Sequence, residues 1–476
     1  MSYELVIGLE VHAELNTNTK IFCGCENGFA GEENTRICPV CTGMPGTLPV
    51  LNQQVVESAI RAGLATNCSI TRRSIEDRKN YNYPDLPKGY QISQRDYALC
   101  KNGYVDIEAD GQTVRVGITQ IHIEEDAGKL VHVPGAGYSR VDYNRSCVPL
   151  IEIVTEPDMR SAEQARVFLE TLRNILLSIG VSDVKMQEGS LRCDVNVSLR
   201  KPGEAFGVRS EIKNMNSFRS VMRAIDAEYK RQSALLDAGE TILQQTMRFD
   251  ESTGKTYPMR TKEDSHDYRY FPDPDLLPIV VDDAWIAQLQ ATLPELPHEK
   301  KTRYISEYGI GEALAGMISA NRGYAQLFEQ AVECGAQPGE TAKQITGDLI
   351  AFLRASEMEI EDLPFDGVQL AKLLQLVQDG SISTSACKQV LEAMVLKGGE
   401  PKDIVAQLGL EQVSDDAALL EVARQAIANA PAAVQDFKAG KEKAFTAIMG
   451  QAMKLTKGSA NPQVMRELIL KLLNEA

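Results

Sequence analysis

The sequence contains no run of 18 apolar residues, so no helix it encodes is long and apolar enough to cross a bilayer. Its start, Met1-Ser2-Tyr3-Glu4, lacks the basic opening and apolar stretch of a signal peptide. These two absences predict a soluble chain that works in the cytoplasm and has no membrane partner. Basic residues are also in short supply. Fifty Lys and Arg stand against 66 Asp and Glu, a formal charge of −16, which is the wrong sign for coating nucleic acid unspecifically. Any nucleic-acid contact must be local. Ten cysteines in 476 residues, without a leader, do not suggest a disulfide framework. The familiar nucleotide and hydrolase signatures are missing too. Gly254-Lys255-Thr256 ends like a P-loop, but the glycine that motif needs at position 249 is Phe249. There is no Gly-x-Ser-x-Gly elbow and no Gly/Ser-rich amidase stretch. Internal repeats and low-complexity tracts are absent.

What is present is a globular composition, 43% apolar and 24% charged, with enough chain for two to three domains. Residues 1–292 read as strands, turns and a few helices. From Leu296 onward the pattern is nearly all helical, and the two prolines of residues 292–297 suit a junction. Leu370, Leu373, Leu374 and Val377 form an amphipathic stripe ended by Gly380. A second break at residues 397–401 divides a helical domain, 293–400, from a small helical tail, 401–476, whose last helix opens with Asn461 as cap and Pro462 in the first turn. The fold class is therefore α+β. Two of the helices in the first part have clear signals. One opens with a capping box, Ser161 to Gln164, and carries Phe168, Leu172, Ile175, Leu176 and Ile179. The other runs from Ser217 through Val221 and Ile225 to Gly239.

The strands carry the chemistry. In residues 5–12, Leu5, Ile7, Leu9 and Val11 point one way, and Glu10 and His12 the other. In residues 191–199, Cys193, Val195, Val197 and Leu199 share a face opposite Arg192, Asp194, Asn196 and Ser198. In residues 208–213, Arg209, Glu211 and Lys213 face away from Val208 and Ile212. An antiparallel sheet with one buried face has this pattern. Residues 121–126 end a strand in three acids, Glu124, Glu125 and Asp126. Glu152 lies inside an apolar run, where an unpartnered carboxylate is costly and a metal or arginine would relieve it. Glu10, His12, Glu124, Glu125, Glu152, Asp194 and Glu211 suit Mg²⁺ or Mn²⁺ entering with a nucleotide's phosphates. Alternation alone would also put solvated acids on any sheet. Lys79, Arg192, Arg209 and Lys213 suit phosphate oxygens, or serve as ordinary ion-pair partners.

Cys23-x-Cys25, followed after twelve residues by Cys38-x2-Cys41, has the spacing of a tetrahedral thiolate site. Zinc is its usual occupant in the cytoplasm, in a structural role, against the alternative of free thiols or a redox pair. From physical reading alone two functions remain open: a metal-dependent phosphoryl-transfer enzyme, or a zinc-stabilised binding module with a polar sheet.

Four blocks make the sequence familiar: residues 6–12 (VIGLEVH), 77–94 (DRKNYNYPDLPKGYQISQ), 141–157 (VDYNRSCVPLIEIVTEP) and 259–275 (MRTKEDSHDYRYFPDPD). With them the whole chain resembles the B subunits of bacterial aspartyl/glutamyl-tRNA(Asn/Gln) amidotransferases, the GatB/GatE family. Residues 454–462 (KLTKGSANP) resemble that family's tail domain. The resemblance implies a cradle domain related to glutamine synthetase over the first ~290 residues, holding ATP and Mg²⁺ on an antiparallel sheet. It implies tRNA binding by the helical domain and tail. The activity it implies is a carbon–nitrogen ligase in which the γ-phosphate of ATP goes to the side-chain carboxylate of Glu-tRNA(Gln) or Asp-tRNA(Asn). Ammonia released from glutamine by a glutaminase partner (the A chain of the complex) then displaces phosphate, and a small third partner (the C chain) completes a heterotrimer. On this basis Glu10, His12, Glu124, Glu125, Glu152, Asp194 and Glu211 are the candidate metal and ATP set, and Arg78 and Lys79 the candidate phosphate contacts, Arg78 having a structural salt bridge as its alternative. The four cysteines match the family's zinc-bearing members. A scaffold that binds tRNA without chemistry is the alternative, and acids on three strands argue against it.

Residues 438–471 carry seven basic and two acidic side chains, a local charge of +5 within an acidic protein. Lys438, Lys441, Lys454 and Lys457 are the candidate tRNA contacts, unless the stretch is only a solvated helical face. Replacing Lys454 and Lys457 with Ala is expected to weaken tRNA binding and to lower the salt slope by up to ~2 phosphate contacts' worth. A salt titration of binding checks this, and an unchanged slope counts against it.

Overall fold

The computed structural model describes residues 3–28, 31–133, 135–261, 267–411, 416–438, 441–456 and 462–475. The chain divides into two compact units, Met1–Leu296 and Pro297–Ala476. Among the described residues no helix is long and apolar enough to cross a membrane.

The first unit is built on a nine-stranded sheet. Its strands are β1 (Glu4–Glu14), β2 (Ser69–Ile70), β3 (Cys100–Ala109), β4 (Gln112–Glu125), β5 (Pro149–Thr155), β6 (Leu191–Arg200), β7 (Ser210–Lys213), β8 (Gln245–Asp250) and β9 (Lys255–Thr261). Their spatial order is β9-β8-β7-β6-β1-β5-β4-β3-β2. The chain starts at the centre, jumps to one edge, meanders back to β1, and then builds outward on the other side. One pair breaks the expected antiparallel rule. β7 and β8 run parallel, and the helix Phe218–Asp237 supplies the crossover between them.

Alternation decides which face is buried. Ile7, Leu9, Val11 and Ala13 of β1, Ile151 and Ile153 of β5, and Cys193, Val195 and Val197 of β6 enter one continuous core. Three helices seal it: α1 (Gln53–Ala65), α2 (Ala162–Ser178) and α3 (Phe218–Asp237). Ser161 caps α2 by accepting from the Gln164 N–H at 3.0 Å. The return bond of the expected capping box is displaced by one residue, because Gln164 accepts from the Arg160 N–H instead. Ser217 caps α3. Val208, expected to share the buried face with Ile212, is 45% exposed, because β7 begins only at Ser210.

The second unit holds two separate cores. Tyr304, Phe328, Leu349, Leu373 and Leu391 belong to the first, and Leu419, Ala423, Ile448, Met465 and Ile469 to the second. The helix Pro401–Leu408 places Ile404 and Val405 in the first core. Gly398 and Gly399, both at positive φ, fold that helix back onto its predecessors, so the second core starts later than the break at 397–401 suggested. Asn461 lies outside the described residues, and the last helix begins at Pro462.

Glu228 shows how the sheet is tied to α3. Its carboxylate is fully buried and accepts from Arg231, Gln232 and the Thr256 hydroxyl of β9. Burial opposes its charge, but the Arg231 and Gln232 donors outweigh it and hold the pKa below the usual value of 4.5. Its contribution is therefore present above that value and lost as the pH falls through the lowered one. Glu228→Ala is expected to cost about 3 kcal/mol in urea unfolding at pH 7, with a smaller difference from wild type below roughly pH 4.

Candidate active site

β1 places Glu10, His12 and Glu14 on the face away from the helices. Its neighbours complete two rows by register. His12 stands opposite Glu152 of β5 and Arg192 of β6, and Glu152 stands opposite His122 of β4. One step along, Glu10 stands opposite Asp194, and beyond it Asn196 faces Glu211 of β7. Two groups of metal-competent atoms result: His12, Glu124 and Glu152, and Glu10, Asp194 and Glu211, each with its ligand atoms within 4.8 Å of one another. They are two residues apart along β1, about 7 Å.

The electrostatics are those of crowded carboxylates. Burial and the neighbouring Glu152, Glu211 and Asp194 push the Glu10 carboxyl up, against one hydrogen bond from Asn196 at 2.9 Å. Burial opposes Glu152 as well, but His122 and His12 hold it well below the usual carboxylate range. His122 Nε2 lies 3.1 Å from Glu152 and 3.6 Å from Glu124. These acids outweigh its burial and push His122 up to about 10. Lys213 bridges Asp194 and Glu211. A donor set of this kind, rich in acids and with a single imidazole in one group, fits a hard divalent cation.

Glu124 and Glu125 part company. Glu124 joins His12, at 3.5 Å. Glu125 belongs to neither group and leaves the expected metal set. Adjacent strand residues face opposite ways, and on its own side Glu125 is taken up by Lys88 at 2.5 and 2.6 Å, the Ile92 N–H at 2.8 Å and the Cys147 thiol at 2.8 Å. Arg78 is likewise spent. It donates to Asp273 and Asp275 and stacks over Tyr90, the structural alternative for this residue. Lys79 lies over the Tyr268 ring, 5.1 Å away, within the field of Glu124 and Glu152. Arg192 pairs with Asp126. Arg209 precedes β7 and lines a cavity of about 240 Å³ with Gly8, Glu10, Asn196 and Phe206. Gly207 makes that wall possible, since a Cβ there would lie 2.1 Å from the Leu199 carbonyl oxygen.

Several residues escaped the sequence reading. His122 and Glu14 follow the same alternation as Glu124 and His12, which was signal enough. Lys88 and the buried Glu76, whose carboxyl oxygens have no hydrogen-bond partner among the described residues, carried no signal, and Asn196 was placed on the polar face by alternation without a role. Of the basic tail, Lys441 is exposed and pairs with Asp436, and Lys454 is exposed in the last turn of its helix. The Lys438 side chain and Lys457 lie outside the described residues.

The four cysteines also converge. Cys23, Cys25, Cys38 and Cys41 bring their sulfurs within 4.8 Å of one another, near the roughly 3.8 Å separation of tetrahedral zinc thiolates. The hydrogen bond from Cys23, with the Cys38 N–H, pulls the Cys41 thiol down to about 5. Lys20 is fully buried with Nζ 4.0 Å from Cys41 Sγ, and a buried ammonium wants an anion beside it. The donor set fits structural zinc.

Residues 5–287 match the GatB/GatE catalytic domain family, and residues 326–473 match the GatB domain family. The chain belongs to the GatB/GatE family. It is 54% identical to a protein of Caldicellulosiruptor saccharolyticus over 479 residues, covering all of both chains. It is 52% identical to one of Thermoanaerobacter sp. strain X514, again over all of both chains. The Brevibacillus brevis relative is 50% identical, with 99% of each chain covered. All three are named as the B subunit of aspartyl/glutamyl-tRNA(Asn/Gln) amidotransferase. The catalytic-domain match spans both acidic groups and all four cysteines.

Purified protein is expected to carry about one zinc, and Cys38→Ser to lose it. Metal analysis of protein prepared without chelator checks both.

Proposed function

We propose that this chain is the kinase-and-transferase component of a tRNA-dependent amidotransferase, an ATP-dependent carbon–nitrogen ligase of the cytoplasm. Its first unit would be a cradle domain related in fold to glutamine synthetase. The substrates are Glu-tRNA(Gln), Asp-tRNA(Asn) or both. A glutaminase partner supplies ammonia, and a small third chain completes the heterotrimer. The observation that carries the reading is the pair of acidic groups beside the Arg209 cavity.

A carboxylate is a poor electrophile because expelling oxide is hard. In the first step a side-chain carboxylate oxygen bonds to the γ-phosphorus of ATP, and ADP leaves with the bridging electron pair. In the second, ammonia bonds to the carbonyl carbon and gives up a proton, and phosphate departs with the C–O pair, leaving the amide. Both steps consist mainly of positioning and charge neutralisation. The residues are suited to that. The Glu10 and His12 groups are the sites for Mg²⁺ or Mn²⁺, which when bound would neutralise charge on the phosphates. Arg209 and Asn196, at the apolar cavity, suit the nucleotide end. Lys79 suits the transferring phosphoryl group. Lys213 holds Asp194 and Glu211 in place. The zinc centre is structural, and the exposed Lys441 and Lys454 suit tRNA phosphates.

The test is ADP formation by this chain assembled with its glutaminase and small partner chains, using free ammonium, on mischarged Glu-tRNA(Gln) and on correctly charged Gln-tRNA(Gln). ADP release that needs the mischarged tRNA and is lost in Glu10→Gln and Asp194→Asn is the expected outcome. Full release in both variants would leave a tRNA-binding scaffold as the better reading.

A further inference from the structure

The acceptor in this reaction is itself an anion, and the face it must enter already carries Glu10, Glu14, Glu124, Glu152, Asp194 and Glu211. Bringing another carboxylate there requires a cation that is not already spent, and Lys79, over the Tyr268 ring within the field of Glu124 and Glu152, is taken by the transferring phosphoryl group. Lys213 is shared between Asp194 and Glu211, and Lys88 is closed off by Glu125. Arg78 is turned to Asp273 and Asp275. Arg209 sits at the cavity end of the face, beside Gly8 and Glu10.

Arg192 is different. It is the register partner of His12, at the opposite end of the face from the cavity. One amino group donates to Asp126 at 2.7 Å. Its Nε is buried and has no hydrogen-bond partner among the described residues, while 36% of the side chain remains open. The guanidinium is thus anchored on one side, and since Nε is sealed from solvent an incoming carboxylate meets the open part of the side chain at its amino groups. Its anchor is firm. Asp126 is 5% exposed, accepts from the Ala127 N–H at 2.8 Å, and lies 3.4 Å from Arg145. Arg145 in turn donates to the Ala127 and Gly128 carbonyls, both at 3.0 Å. Two guanidiniums thus border Asp126, with the Glu14 carboxyl beside them, and bring positive charge to an otherwise acidic face. Along β1 the order is then apolar cavity at Gly8, the Glu10 group, the His12 group, and the arginines. A donor nucleotide entering from one end meets an acceptor held at the other.

Given the phosphoryl-transfer reading, we infer that Arg192 docks the side-chain carboxylate of the aminoacyl-tRNA, with Asp126 and Arg145 as its positioning residues. A guanidinium fork suits a carboxylate and gives nothing comparable to the neutral amide of the product. The site therefore favours the acid to be amidated over the amide that has been made.

The test uses the chain assembled with its partner chains and follows ADP release with Glu-tRNA(Gln) as varied substrate and Gln-tRNA(Gln) as competitive inhibitor. Arg192→Gln is expected to raise the KM for Glu-tRNA(Gln) by about tenfold or more, with the KM for ATP and the inhibition constant of Gln-tRNA(Gln) each changed by less than about twofold. Arg145→Lys should give a smaller shift of the same kind. An unchanged KM for Glu-tRNA(Gln), an equal weakening of Gln-tRNA(Gln), or a rise in the KM for ATP instead would overturn the assignment. Should Arg192→Gln fail to assemble, Arg192→Lys is read by the same three constants, since it keeps the charge and loses the fork. Full ADP release by Glu10→Gln in the same assay would overturn the phosphoryl-transfer reading itself. Tight dependence on Glu10 with no effect at Arg192 would leave that reading standing and remove only this inference.

Discussion

Mutual repulsion among carboxylates held on one side of a sheet is the constraint around which the first unit is organised. Left free, these side chains would swing apart into water. β1 cannot turn them away, because its other face is pinned: Ile7, Val11 and Ala13 are fully buried under the helices, and a one-residue slip of register would put every one of them in solvent. The acids are kept together by the burial of their neighbours. What offsets the repulsion is local: the His12 and His122 imidazoles, Lys213, the Ser93 and Thr246 hydroxyls and an amide donor from Asn196. A face in that condition is preorganised for cations, since their arrival relieves a cost already incurred in folding.

The cysteine centre bears on the same face through Ile21 and the segment between its two cysteine pairs. Asn34 accepts from the Tyr143 N–H at 2.8 Å and donates its backbone N–H to Asp142 at 3.0 Å. The Arg36 N–H donates to Asn144 at 2.8 Å, and Asn144 donates to the Glu32 carbonyl at 2.7 Å. The Ile21 N–H donates to the Cys147 carbonyl at 3.0 Å. The loop that carries the thiols is therefore stitched to the turn that presents Arg145 and Cys147, whose thiol in turn holds Glu125. A structural metal here would act on the acidic face at one remove, by fixing the turn that borders it.

The second unit follows a different logic, in which helices bury apolar stripes against one another in two cores and polar groups are confined to caps and the surface. Among the described residues of this unit Glu329 carries the densest set of charged partners. It receives Lys300, Arg303 and the Tyr304 hydroxyl, which neutralises a half-buried acid and anchors the first helices of the unit. In the tail Lys454 is exposed in the last turn of its helix, while Lys441 is paired with Asp436.

By itself the sequence determined the alternation of β1, β6 and β7, the two capped helices, the cysteine spacing and the change to helix near residue 296. These are set by periods of 2 and 3.6 residues and by short-range capping, so they can be read from neighbours in the chain. Only the tertiary structure decided which of two adjacent acids, Glu124 or Glu125, joins His12, because that choice depends on Lys88 and Cys147 arriving from distant segments. It likewise decided that Arg78 is closed by Asp273 and Asp275 while the Arg192 Nε–H has no partner among the described residues. Ion pairing is settled by partners 66 to 197 residues away, and no local pattern encodes who arrives first. The same holds for the parallel β7–β8 pair and for the helix Pro401–Leu408, which the double glycine folds back onto the earlier core. A turn and a linker share a composition, and only packing distinguishes them.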